Sequence, residues 1–404
     1  MHDPRRRQPI AGIPRRPPRP GWGARIRAWL SRPALWIGTI VLAAVAAALG
    51  SFFQDRLFPQ LQCEFQELGR TPADGGRFTV LVSRLSGDDD GSQTRRVVNA
   101  LENERGFERV ATCRSLDNSL DTVPGSVADA ESQRRGRDLL ARLRADLLIW
   151  GEVSAPDKSL RLRFLTAGQS GGGTSYGLRP DTLDLPSAFD EQVATQITAA
   201  ALTGISPLTK ESGRYLVERL RPLIAKLRQI AHNPPKGSTA AQVASLHHSL
   251  GTALSVMGEQ AGDNQALEAA VTAYGEALKE RTRERVPLDW AMTQNNLGTA
   301  LQTLGGRENG TARLEAAVAA YGEALKERTR ERVPLDWAMT TANLGHALMR
   351  MAERRQDQET ANLAVDNLEA ALKIFEDGGH APAVAQCREI LSAARGVAAR
   401  LGAR

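Results

Sequence analysis

The sequence predicts three parts in series: a membrane-spanning helix, a small α/β domain and an all-α helical-repeat solenoid. Three observations predict them. Pro33 to Gln54 is uncharged and largely apolar, and residues 77–206 interleave short apolar runs with helical patterns. Residues 207–404 contain a near-copy: LEAAVTAYGEALKERTRERVPLDWAMT, starting at Leu267, returns from Leu314 with only Thr272 replaced, by Ala319. An offset of 47 residues marks stacked supersecondary units, each too small to bury its own apolar face. Such arrays present surfaces to partners, which points to binding and away from chemistry.

The basic tail, residues 1–32, comes first. It carries nine arginines against Asp3, a net +8 within a chain of formal charge +6, so the remainder carries −2. The high isoelectric point therefore describes a tail and not a basic face, and no nucleic-acid partner is expected. Cys63, Cys113 and Cys387 are an odd number at wide spacing, which offers neither a disulfide framework nor a metal site.

For the stretch 33–54, Leu35, Trp36, Ile37, Ile40, Val41, Leu42, Val45, Leu49, Phe52 and Phe53 stand among alanines. About 20 apolar residues span the roughly 30 Å of a bilayer core. The arginine-rich flank predicts a cytoplasmic amino terminus by the positive-inside rule. In a bacterium this gives a single-pass inner-membrane protein with a periplasmic body. A cleavable signal peptide, cut near Ala46 or Ala48, is the rival reading.

Residues 55–76 read as a linker. Phe78 to Leu85 suits a buried strand entering the turn Gly87-Asp-Asp-Asp-Gly91, and Ser92 can cap a helix bearing Val97, Val98 and Leu101. The three aspartates lack the alternating spacing and distal glutamate of a calcium loop. A second strand is expected over Val110 to Cys113, and a second helix carries Leu139, Leu140 and Leu143. Leu147 to Val153 is the strongest strand. Leu160, Leu162 and Phe164, alternating with Arg161 and Arg163, predict a hairpin with one wet face. A helix with Phe189, Val193 and Ile197 closes the segment. The strand ending in Leu-Ser-Gly-Asp, the later Ala-Asp-Leu-Leu-Ile-Trp-Gly-Glu-Val and the Leu-Arg-Leu-Arg-Phe after it resemble the small amino-terminal domain of TolB-like proteins. The resemblance spans roughly Phe78 to Gly204 and implies a partner-contacting or assembly domain.

Aligned by the period, the third part superposes Leu250-Gly251, Leu297-Gly298 and Leu344-Gly345, then Ala270, Ala317 and Ala364, then Tyr274, Tyr321 and Leu368. Leu297, Ala300, Leu301 and Leu304 form one stripe of a first helix. Leu314, Ala317, Val318, Tyr321, Ala324 and Leu325 form that of a second, with Gly305-Gly306 and Asn309-Gly310 as the turn between. The register predicts a leading half-unit kinked at Pro222, three helix pairs and a terminal capping helix. The order Leu-Gly, Ala, Ala, Tyr, Ala resembles the tetratricopeptide repeat. The long unit and the Asn-Asn-Leu step are similar to kinesin light chain-type arrays. Arg281 to Leu288 lengthens one turn, and Trp290 and Trp337 stand away from the family's usual tryptophan position.

That resemblance implies a groove lined by the first helix of each pair: His248, Ser249, Thr252, Asn295, Asn296, Thr299, Gln302, Asn343, His346 and Met349. Asn296 and Asn343 would hold the backbone of an extended peptide, since a side-chain amide offers a donor and an acceptor together. The alternative is that they bridge neighbouring helices internally. His247 and His248 read as ordinary helix residues, and Lys279 to Arg285 as a solvated helix end. No catalytic or nucleotide motif stands out. The expectation is a membrane-anchored, non-enzymatic scaffold binding a protein or peptide segment, with no cofactor. The alternative is an envelope sensor whose α/β domain binds a small ligand and signals through the repeats.

Overall fold

The computed structural model describes residues 78–102, 107–112, 136–141, 145–154, 159–166, 182–185, 191–204 and 210–403. The chain forms two compact units, Met1–Gln62 and Cys63–Arg404, and every described residue belongs to the second. One expectation is corrected at once. Among the described residues no helix is long and apolar enough to cross a membrane. The single-pass anchor and the inner-membrane placement built on it are therefore not supported. The stretch 33–54 that suggested them lies outside the described residues, as do the basic tail and the linker.

The first part of the described chain is a five-stranded mixed sheet: β1 (Phe78–Ser83), β2 (Phe107–Thr112), β3 (Leu147–Ser154), β4 (Ser159–Thr166) and β5 (Thr182–Leu185). The spatial order is β2-β1-β3-β4-β5. β1 runs parallel to β2 and β3, while β3–β4 and β4–β5 are antiparallel. Val80, Val82, Leu147, Ile149, Leu160 and Leu162 point to one face, under α1 (Ser92–Glu102) and α2 (Glu191–Gly204).

The opposite face is also covered. Leu81, Leu148, Trp150 and Leu165 pack with Leu139 and Leu140 of a helical stretch at 136–141. The expected wet face is thus present at Arg161, which is exposed, but not at Arg163, which is 8% exposed. Alternation along a strand reports the pleat, and whether a second layer lies over it is a tertiary matter.

The aspartate turn belongs to α1. Asp88 accepts from the Gln93 and Thr94 backbone nitrogens at 3.1 and 2.7 Å and from Thr94 Oγ1 at 2.6 Å. Asp90 accepts from the Ser92 nitrogen at 2.8 Å, and that bond lowers its pKa. Two carboxylates therefore cap the helix start, where free N–H groups would otherwise go unpaired.

The second part is a helical-repeat body. A lone helix, α3 (Lys210–His232), runs through Pro222. Three pairs follow: α4 (Ala240–Ala261) with α5 (Asn264–Glu280), α6 (Pro287–Arg307) with α7 (Ala312–Ala324), and α8 (Pro334–Arg355) with α9 (Gln358–Asp377). Helix α10 (Ala381–Gly402) closes the array. Pro287 and Pro334 occupy the first turn of α6 and α8, where a missing N–H costs nothing. Gly305 and Gly306 lie inside α6 and not in the turn. A Cβ on Gly305 would stand 3.0 Å from Leu314, so the glycine serves close packing.

Neighbouring units are tied by arginines that reach carbonyls at the end of the preceding first helix or in the turn after it. Arg307 donates to Gly258 O at 3.1 Å, and Arg354 donates to Gly310 O at 2.6 Å and Gly306 O at 3.4 Å. Sheet and repeats share a core. Helix α2 has Val193, Ile197 and Ala199 to Leu202 buried, and one apolar cluster runs from β1 through α2 to α3, α4 and α5.

Candidate protein-binding row

The residues expected to line a groove come from α4, α6 and α8. Nine of the ten candidates gather in one buried polar row. His248, Thr252, Asn295, Asn296, Thr299, Gln302, Asn343 and His346 are each under 9% exposed, and Ser249 joins them. Met349 does not. It is half-buried among apolar neighbours such as Leu348 and Met351.

Helical spacing explains the gathering. Positions 295, 299 and 302 recur at i, i+4 and i+7 on one side of α6, and Asn295 and Gln302 meet partners in the next unit. Asn343 Nδ2 donates to Asn295 Oδ1 at 3.3 Å across the α6–α8 junction, and Asn295 Nδ2 donates to Asn296 Oδ1 at 3.2 Å. The chain of amides ends at Asn296 Nδ2, a buried donor with no hydrogen-bond partner. Asn343 thus acts as a bridge between repeats, while Asn296 holds a donor in reserve.

A second branch runs through Tyr321, which donates to Gln302 Oε1 at 2.9 Å. With Oε1 accepting, Gln302 Nε2 is the donor in its 3.1 Å contact with His346 Nδ1. In the preceding unit Tyr274 donates to Thr252 at 3.3 Å. Burial raises both phenols, Tyr274 to about 12, so each remains a neutral donor at ordinary pH.

A third branch centres on Thr293. Its hydroxyl donates to Asp289 O at 2.8 Å and accepts from Arg281 Nη1 at 3.2 Å. The hydroxyl has one hydrogen, so His248 Nδ1, at 3.1 Å, must be the donor in their contact. His248 therefore carries its proton on Nδ1. Its Nε2 is an acceptor without a partner, as is the buried Thr341 hydroxyl. Burial, aided by the Arg281 and Arg328 charges, holds the imidazole well below the usual histidine range and keeps it neutral.

Sequence reasoning missed several members. Arg281 falls within Lys279 to Arg285, expected to be a solvated helix end, yet it is 5% exposed, and Arg328, one period on, is 2% exposed. Arg328 donates to Thr340 at 3.1 Å as Arg281 does to Thr293. The signal available was the copying of both arginine and threonine, twelve residues apart, in each unit. Among the described residues no three His, Cys, Asp or Glu side chains gather as a metal site. Cys387 is buried and donates to Leu368 O at 3.4 Å, while Cys63 and Cys113 lie outside the described residues. No family model, curated protein or solved structure matches this chain.

Proposed function

We propose that the helical-repeat body is a tetratricopeptide-type interaction scaffold that binds an extended protein segment along its polar row. The carrying observation is the amide chain Asn343–Asn295–Asn296, which ends in an unpartnered buried donor. A buried polar group without a partner costs about 1–3 kcal/mol. Asn296 Nδ2 offers a donor and His248 Nε2 an acceptor, the complement of one peptide group. The sheet, which shares the core of the first pairs, is read as an assembly domain of the TolB-like kind.

The test pans random peptides, displayed on phage, against the full chain. Asn296→Ala should weaken the selected peptides about tenfold and move the melting temperature little. If the variant melts far lower while its folded fraction binds normally, the asparagine is an internal brace and the proposal fails.

A further inference from the structure

The two junctions that join the first helices of the three pairs each hold one histidine, and the two are wired differently. At the α4–α6 junction His248 gives its Nδ1 hydrogen to Thr293 at 3.1 Å, and its Nε2 is buried with no hydrogen-bond partner. At the α6–α8 junction His346 accepts at Nδ1 from Gln302 Nε2 at 3.1 Å, so its own hydrogen sits on Nε2. Gln302 Oε1 accepts from Tyr321 at 2.9 Å. Tyr321 has one hydrogen, however, and a second acceptor in reach, Thr299 Oγ1 at 3.3 Å. Thr299 gives its own hydrogen to Asn295 O, which leaves its oxygen able to accept. Ser255 holds the place of Gln302 one period back and Met349 one period on, so the other two units lack this amide.

We propose that acid opens the array at the α4–α6 junction and leaves the α6–α8 junction closed. A second proton on His346 enters at Nδ1. The Gln302 amide then turns over: Oε1 accepts from Nδ1–H, Nε2 donates to the Tyr321 oxygen, and the Tyr321 hydrogen turns to Thr299. Every donor keeps an acceptor, and the bond from the imidazolium is stronger than the neutral one it replaces. Around it, Arg350 one turn on donates to Gly306 O, Arg328 binds Thr340, and the charged side chains of α7, α9 and α10 lie at the surface. A second proton on His248 enters at Nε2, where no acceptor stands. Its neighbours do not help. Arg281 donates to the same Thr293 hydroxyl at 3.2 Å, and Asp289 meets that hydroxyl through its backbone carbonyl. The Tyr274 ring of α5 lies 5.6 Å away with a phenol that stays neutral, and the Arg328 charge also opposes the proton. Glu276 and Lys279 of α5 face His247 beside it, α2 carries no charged residue after Glu191, and α3 turns Glu218, Arg221 and Arg228 to solvent. A buried cation without an acceptor is relieved only when the helices part.

Amide hydrogen exchange read by mass spectrometry on the full chain, corrected for the intrinsic pH dependence of exchange, tests this between about pH 7.5 and 5. Protection in α4 and in α6 near Thr293 should fall, by a factor approaching about tenfold per pH unit below the ordinary histidine value of 6.5. Protection in α8 and α9 should hold. His248→Gln should abolish the fall. Gln302→Leu removes the acceptor for the second proton of His346 and should extend the fall to α8. Gln302→Glu, whose carboxylate accepts from both the imidazolium and Tyr321, should keep α8 protected and remains informative where the leucine variant does not fold. Protection that falls alike at both junctions, or at neither, overturns the proposal in the native protein alone. A fall that survives in His248→Gln overturns it too, as does an α8 that stays protected in a folded Gln302→Leu chain.

Discussion

Hydrogen counting at single residues organises the polar row. Thr293 has one hydrogen and three neighbours, and that deficit sets the tautomer of His248 and leaves Nε2 over. The same histidine makes stability depend on pH. Its folded-state pKa is depressed, chiefly by burial, below the ordinary 6.5. Below that pH the unfolded chain takes up a proton that the folded chain refuses, so stability present above 6.5 is lost as pH falls. The slope from this group approaches about 1.4 kcal/mol per pH unit. Melting followed between pH 7.5 and 5 should show that fall, and His248→Gln should flatten it. A variant with an unchanged slope would remove His248 as its source. The asparagines were named from their places in the repeat resemblance, and the structure buries them between helices. Arg281 was not legible in the sequence, because an arginine within Lys279-Glu-Arg-Thr-Arg-Glu-Arg285 reads as solvated until the turn that tucks it inward is known.

Between elements, the repeat depends on close approach within each pair. A Cβ on Gly298 would lie 2.7 Å from Tyr321 Cε1, and Gly251 meets Tyr274 at the same distance. Gly345 takes the same place against Leu368, at 2.8 Å. Tyr321 is fully buried and pinned through its hydroxyl, so it cannot yield. Gly298→Ala should therefore destabilise by about 1–3 kcal/mol in chemical denaturation. Gly322→Ala, on an open face of α7 with nothing within 4 Å, should be neutral or stabilise by up to about 1 kcal/mol. Equal effects at the two positions would mean that helix propensity, and not packing, governs. The Leu-Gly step was readable from sequence because the period repeats it. The extent of α6 was not. Gly305-Gly306 reads as a turn, yet tertiary contact with Leu314 outweighs local helix cost and carries the helix to Arg307.

At the scale of the whole molecule, the near-copied units should be interchangeable. Deleting Leu267 to Arg313 joins Ala266, whose N–H is capped by Asp263, directly to Leu314. Arg328 and Thr340 then take the places of Arg281 and Thr293 against α4. The product should keep its helix content per residue and melt cooperatively by circular dichroism. A non-cooperative product would contradict nearest-neighbour stability. The sequence by itself determined the number of helices in the repeat body and their pairing. Those follow from spacing along the chain, 3.6 residues per turn within a helix and 47 between units. Only the tertiary structure decided what the faces meet. The contacts that build the row join His248 to Thr293, Gln302 to His346 and Asn295 to Asn343, at separations of 45, 44 and 48 residues. Whether such pairs touch depends on the rotation between adjacent units, which a period does not encode. The second cover over the sheet, the helical stretch at 136–141 against Leu81, Leu148, Trp150 and Leu165, came by the same kind of distant packing.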